Sequence, residues 1–139
     1  MYRKAAIRPF RSQDEPVLFG LARSTYGSTP GWEERYTLEV LERDVVFVAE
    51  VEGEAAGYEA LAQGGEAVRI DQLLVSPHHD DEGIERQLLA YAEGYAISIG
   101  AQVLEAVVEP DNSAAVAFYR DQGFAQAAPG VVQLVLPQR

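Results

Sequence analysis

Apolar positions recur along this chain in two rhythms, and the switches between them predict its elements. Residues 4–9 alternate loosely and read as a short first strand. Leu18, Leu21 and Ala22 then form a helical stripe that should end near Gly27. Ahead of it, Ser12-Gln13-Asp14-Glu15 has the form of a capping box, with Ser12 accepting from a free backbone N–H and Glu15 reaching back. Residues 27–32 are turn-rich, and a second helix over about 33–43 places Tyr36, Val40 and Leu41 on one side. Residues 45–51 are β-rich, Glu52-Gly53-Glu54 is a turn and 56–62 is the return strand, which together signal a hairpin. Gln63-Gly64-Gly65-Glu66 turns the chain again into a strand over 67–75.

In the second half, Ile84, Leu88, Tyr91, Tyr95 and Ile99 stand at helical spacing, with Gly100 as terminator. Residues 102–108 form an apolar strand. Asn112 caps a helix running to about Asp121, Gly123 ends it, and 131–136 are a last strand. The order β-α-α-β-β-β-α-β-α-β is an α/β (α+β) mixture with antiparallel hairpins in its middle. Periodicity and turn chemistry predict that order and leave the sheet topology open.

Composition narrows the partners. A chain of 139 residues suits one domain spanning 1–139, and a hydrophobic content of 47% argues against disorder. No apolar run approaches the length of a membrane span, and the basic start, Met1 to Arg8, reads as a strand rather than a signal peptide. Without cysteine there is no disulfide, no thiolate zinc site and no cysteine nucleophile. The cytoplasm is the expected compartment. A formal net charge of −11 argues against nucleic acid or an anionic membrane as partner and suits a cationic substrate, although acidic surfaces are common without any such meaning.

Two segments carry the chemistry. The first is Leu73-Leu74-Val75-Ser76-Pro77-His78-His79-Asp80-Asp81-Glu82-Gly83-Ile84-Glu85-Arg86-Gln87-Leu88-Leu89. The second is Asn112-Ser113-Ala114-Ala115-Val116-Ala117-Phe118-Tyr119-Arg120-Asp121-Gln122-Gly123-Phe124. Together they resemble the motifs of the GNAT superfamily of acetyl-CoA-dependent N-acetyltransferases. Val75, Pro77, Gly83, Ile84, Leu88 and Leu89 fall in register with the family's strand, loop and leucine-paired helix. The second segment follows the family's Asn-x-x-Ala-x-x-Phe-Tyr-x-x-x-Gly-Phe.

The resemblance implies one GNAT-like domain, with a mixed central sheet of about six to seven strands flanked by about four helices. It implies acetyl-CoA as acyl donor and a primary amine, on a small molecule or a peptide, as acceptor. The coenzyme would lie between the strands 67–75 and 102–108, its pantetheine arm bonding the backbone near Leu74 and Val75. Its pyrophosphate would sit on the loop and helix start formed by Asp80, Asp81, Glu82, Gly83, Ile84 and Glu85. The physical basis is general: free N–H groups and the helix dipole make an anion site, and glycines let the backbone come close. Asn112 and Ala115 would add coenzyme contacts, Asn112 also capping its helix. Tyr119 would protonate the leaving thiolate.

At the loop this sequence departs from the family pattern. Asp80 stands where Arg or Gln is usual, Asp81 where the first glycine is, and Glu85 where the last small residue is. Two like charges about 6 Å apart repel by roughly 3 kcal/mol at an effective dielectric near 20. One such contact lowers affinity on the order of a hundredfold. The same acids have a plain structural reading, because carboxylates at a helix start stabilise it, and Asp81 is a candidate for the cap. The run from His78 to Glu82 is not read as a metal site, since consecutive side chains point in different directions.

The group that takes the amine's proton is left open: Asp71, Glu59, Glu105 and Glu109 all fall on predicted central strands, and Asp71 leads. Acceptor contacts would come from the turn-rich connection Tyr26 to Tyr36, where Trp32 reads as packing more readily than as recognition. Two functions follow. One is an N-acetyltransferase with Tyr119 as general acid. The alternative is a non-catalytic module of the same fold that has lost acetyl-CoA affinity through Asp80, Asp81 and Glu85. Exposed strand edges leave a homodimer open as well.

Overall fold

Ala6–Pro9 form the first strand, β1, where the loose alternation predicts it. The computed structural model of the chain describes residues 2–28, 30, 41, 43–109 and 111–138. From β1, Arg8 reaches Asp14 with both guanidinium ends, Nη1 to Oδ2 at 2.8 Å and Nη2 to Oδ1 at 2.7 Å, and also pairs with Glu50. This fork corrects the expected capping box. Ser12–Asp14 is a 3-10 turn, and Asp14 Oδ2 accepts from the Arg11 N–H at 2.7 Å. The acid that reaches back is therefore Asp14 rather than Glu15, because Arg8 fixes its carboxylate. Helix α1, Glu15–Tyr26, follows and stops at Gly27, whose N–H donates to the Arg23 carbonyl at 2.8 Å. The expected helix over 33–43, with Tyr36 and Val40, lies outside the described residues apart from Leu41, which is buried, and Arg43.

Strands β2, Val45–Val51, and β3, Glu54–Gly64, form the predicted hairpin. Its two-residue turn places Glu52 (φ 53°) and Gly53 (φ 80°) in the left-handed region, the twist that a tight hairpin requires. Ala49 pairs with Gly57 and Glu50 with Ala55, so Ala56 is the extra residue of a bulge. Tyr58 and Ala60 pack with Val46, Val48, Leu18, Ala22, Leu41 and Leu74 in one core cluster. Ala49, Val51 and Ala56 pack with Ile84 and Leu88 in another. Strand β4, Ala67–Val75, has the bounds read from the pattern. Its buried Gln72 accepts from the Tyr58 hydroxyl at 2.8 Å, which satisfies both polar groups. Helix α2, Ile84–Ser98, carries the stripe that fills the second cluster, and its Tyr91 meets Phe47 edge-on at 4.7 Å.

Strand β5, Val103–Val107, runs parallel to β4, from Ala67↔Val103 to Ile70↔Ala106. Helix α3, Ser113–Asp121, and strands β6, Ala125–Ala128, and β7, Val131–Val135, complete the chain. The sheet is seven-stranded and mixed, in the order β1-β2-β3-β4-β5-β7-β6. With three α-helices among the described residues it is an α/β fold. β6 has no counterpart in the sequence pattern: Ala-Gln-Ala-Ala is exposed throughout, and pairing with β7 rather than burial makes it a strand. Packing divides the chain into two compact units, Met1–Leu61 with Gln72–Tyr91, and Ala62–Asp71 with Ala92–Arg139. Among the described residues no helix is long and apolar enough to cross a membrane.

Candidate functional site

The first unit holds the strand end, the acidic loop and the start of α2. Leu74 is buried and Val75 half-buried. A Cβ on Gly57 would lie 2.5 Å from the Leu74 carbonyl oxygen, so only glycine lets β3 approach β4 there. Ser76 N–H donates to the Ala56 carbonyl at 2.7 Å, and the Ser76 hydroxyl accepts from the His78 N–H at 3.3 Å. Pro77–His79 form a 3-10 turn. The loop then passes through two left-handed residues, Asp81 (φ 62°) and Gly83 (φ 78°), before α2 opens at Ile84.

Asp81 thus occupies a glycine-type conformation at the position where the family pattern has its first glycine. Asp is one of the few residues that tolerate it. The position ahead of Ile84 is Gly83, so Asp81 lies two residues outside the cap position considered for it. Asp80 and Asp81 are exposed, while Glu82 and Glu85 are half-buried. Glu82 is engaged: its Oε1 lies 2.9 Å from Nδ1 of the buried His79, whose Nε2 lies 3.8 Å from Glu54. Among the described residues no group of three His, Asp or Glu is placed to hold a metal ion.

A feature that sequence reading missed holds this loop from outside. The Arg3 N–H donates to the Glu82 carbonyl at 2.9 Å. Gln87 in α2 accepts from the Ala5 N–H at 2.8 Å and donates to the Arg3 carbonyl at 2.6 Å. The positive φ of Gly83 favours glycine, and a Cβ there would lie 3.1 Å from the Tyr2 ring, close enough to push that ring aside. The only local signal was an amide side chain one turn into a helix.

The second unit holds the motif helix. Asn112 caps α3 as predicted, its Oδ1 accepting from the Ala115 N–H at 3.1 Å. Tyr119 is buried and meets Phe118 edge-on at 5.2 Å and Phe124 at 5.1 Å. Gly123, at φ 96°, turns the chain, and the Phe124 N–H returns to the Tyr119 carbonyl at 3.0 Å. Pairing of β4 with β5 stops at Ile70↔Ala106, although β4 runs on to Val75.

The four candidate proton acceptors now separate. Asp71 Oδ1 accepts from Arg69 Nε at 2.6 Å, while its buried Oδ2 has no hydrogen-bond partner among the described residues. Glu105 accepts from Gln133 at 3.1 Å. Glu109 is exposed and lies beyond the end of β5, not on it as expected. Glu59 is fully buried in the first unit, with neither carboxyl oxygen hydrogen-bonded among the described residues. Burial pushes its pKa up to about 9, so it is protonated at neutral pH and cannot take a proton. Of Tyr26 to Tyr36, only residues 26–28 and 30 are described.

Comparison with known proteins follows this geometry. Residues 8–124 match the family model for acetyltransferase (GNAT) proteins. No curated protein matches the chain. The solved PaiA N-acetyltransferase of Thermoplasma acidophilum, in complex with coenzyme A, is similar over 96% of this chain and 99% of its own, at 19% identity and a TM-score of 0.81. The ribosomal-protein-alanine N-acetyltransferase of Brucella melitensis is similar over 94% and 99%, at 25% identity and 0.77. N-acetylglutamate synthase of Neisseria gonorrhoeae, complexed with coenzyme A and N-acetyl-glutamate, is similar over 99% of this chain and 36% of its own, at 20% and 0.83.

Proposed function

The chain belongs to the GNAT family of acetyltransferases, and from that membership we propose that it moves an acetyl group from acetyl-CoA to a primary amine by direct attack. The observation that carries the reading is the loop backbone ahead of α2. Asp81 and Gly83 keep the two left-handed turns of a glycine-type anion loop although one glycine has been replaced. The N–H groups from Gly83 to Glu85 receive the pyrophosphate. Asp80 and Asp81 are exposed, and Glu82 is already engaged by His79. Leu74 and Val75 offer backbone groups to the pantetheine arm, and Asn112 and Ala115 add contacts at the start of α3.

In the reaction the neutral amine nitrogen attacks the thioester carbonyl carbon. The new C–N bond forms, the C–S bond breaks, and Tyr119 gives its proton to the departing sulfur. Asp71 takes the proton released by the amine, directly or through water, and solvent returns a proton to Tyr119. The unpartnered Oδ2 of Asp71 supports that role. Calorimetric titration with acetyl-CoA and thiol release with an amine panel test the scheme. Tyr119→Phe should slow transfer by about 10²- to 10⁴-fold while acetyl-CoA affinity holds. No heat with millimolar acetyl-CoA would overturn it.

A second reading rests on the exposed carboxylates of Asp80 and Asp81. In it the chain is a non-catalytic module whose loop repels the coenzyme. It predicts that Asp80→Arg, Asp81→Gly and Glu85→Gly together create acetyl-CoA binding that the parent lacks.

A further inference from the structure

Beneath α3 in the second unit lies a cavity of about 450 Å³. Buried Val108, Phe124 and Val132, with half-buried Val116, supply apolar wall, and two exposed polar side chains, Arg120 and Gln126, also line it. The volume falls in the range of sites that enclose small molecules, about 300–1,000 Å³. Its lining is also mixed in chemistry, with an exposed arginine beside apolar wall. Among the described residues Arg120 makes no ion pair, in a chain with 22 acidic and 11 cationic residues. An arginine beside an apolar surface and without its own carboxylate is complementary to a carboxylate brought by a ligand. The planar fork takes two oxygens at once, and the neighbouring apolar wall weakens competition from water.

We propose that this cavity binds a small carboxylate with a branched aliphatic body, Arg120 anchoring the carboxylate and Val108, Val116 and Val132 holding the body. On the transferase reading, the site adjoins the catalytic tyrosine. Phe124 lines the cavity and packs against Tyr119, ring centroids 5.1 Å apart, so an occupant resting on Phe124 is one ring away from Tyr119. The binding event needs no acetyl-CoA, and its failure is therefore separable from failure of the transferase reading.

Calorimetry and ligand-observed NMR on the full chain, without acetyl-CoA, provide the test. The probes are 4-methylpentanoate, the matching amine 4-methylpentylamine, and acetate as a carboxylate without the body. The expected result is millimolar or tighter binding of 4-methylpentanoate, with both controls at least about tenfold weaker. Arg120→Gln, at an exposed position, should lower that affinity about tenfold or more, and Arg120→Lys should restore only part of it. Val116→Trp, filling the cavity, should abolish binding. If that variant is unfolded by circular dichroism, the Arg120 pair decides alone. Equal binding of the amine and the carboxylate, no binding of 4-methylpentanoate at 10 mM (roughly the weakest affinity of interest), or unchanged affinity in Arg120→Gln would overturn the proposal.

Discussion

The two compact units are tied by different chemistry. In the first, polar side chains tie separate elements together, Arg8 to Asp14 and Glu50, Tyr58 to Gln72, and Gln87 to the segment Arg3 to Ala5, and His79 meets Glu82 within the acidic loop. In the second, aromatic edges around Tyr119 and a β-branched strand pair carry the packing, with polar side-chain links at the Asn112 cap, between Arg69 and Asp71, and between Gln133 and Glu105. Polar links respond to pH and to the loss of one partner, since a buried group left alone costs its desolvation. Apolar packing also suffers when a partner is cut away, but it does not titrate. The first unit should therefore be the pH-sensitive one, and it is also the unit that contains the acidic loop.

Glu59 supplies the largest expected effect. Its folded pKa of about 9 lies far above the 4.5 of an exposed glutamate. Between these values the folded state holds a proton that the unfolded state has released, so stability falls as pH rises through that window. The full loss is on the order of 5 kcal/mol. Asp14 works at the other end. The hydrogen bond from Arg8, more than any other contact, lowers its pKa. The stability it contributes is present above its ordinary value of 3.8 and is lost as pH falls through the lower folded value. Urea denaturation of the parent and of Glu59→Gln at half-unit steps from pH 4.5 to 9 reads the Glu59 contribution apart from that of Asp14, which is complete above pH 4.5. The parent should decline steadily, and the variant should be much flatter. A parent profile as flat as that of Glu59→Gln would mean that the carboxyl is hydrated in the fold and would erase the contrast between the units.

Gln87 comes next. Gln87→Ala leaves the Ala5 N–H and the Arg3 carbonyl without their side-chain partner, at a cost of about 1–3 kcal/mol. Hydrogen exchange should localise the loss to residues 2–5 and the loop at Glu82, where the Arg3 N–H is bonded. A global loss without local exposure would show that Gln87 acts through the helix alone.

These contrasts also explain what was legible in the sequence. β2 and β4 have the bounds that alternation and turn residues predict, because β-branched runs and glycine turns are local signals. The cap at Asn112 is local too. The capping box was misplaced by one residue because the decisive partner, Arg8, sits in another element. β6 carries no periodic burial and exists only through its pairing with β7. At the candidate site, the resemblance placed the loop and Tyr119. It could not show that Asp81 keeps a glycine's backbone or that Glu82 is bound to His79, since both depend on a path through space. The neutral state of Glu59 needs cover on both faces of β3, which one strand's sequence does not contain.

The smallest effect tests the second unit. Asn112→Ala removes the side-chain acceptor for the Ala115 N–H and should cost about 1 kcal/mol, while Asn112→Asp, which keeps an acceptor and adds charge favoured at a helix start, should cost little. Urea midpoints at pH 6 and pH 8 measure both. The difference between parent and Asn112→Ala should be the same at the two pH values, because a neutral amide bonded to a backbone N–H does not titrate. The parent itself should lose stability over the same interval through Glu59. A cap effect that changed with pH would couple Asn112 to an ionising group, and the second unit would then share the electrostatic character assigned to the first.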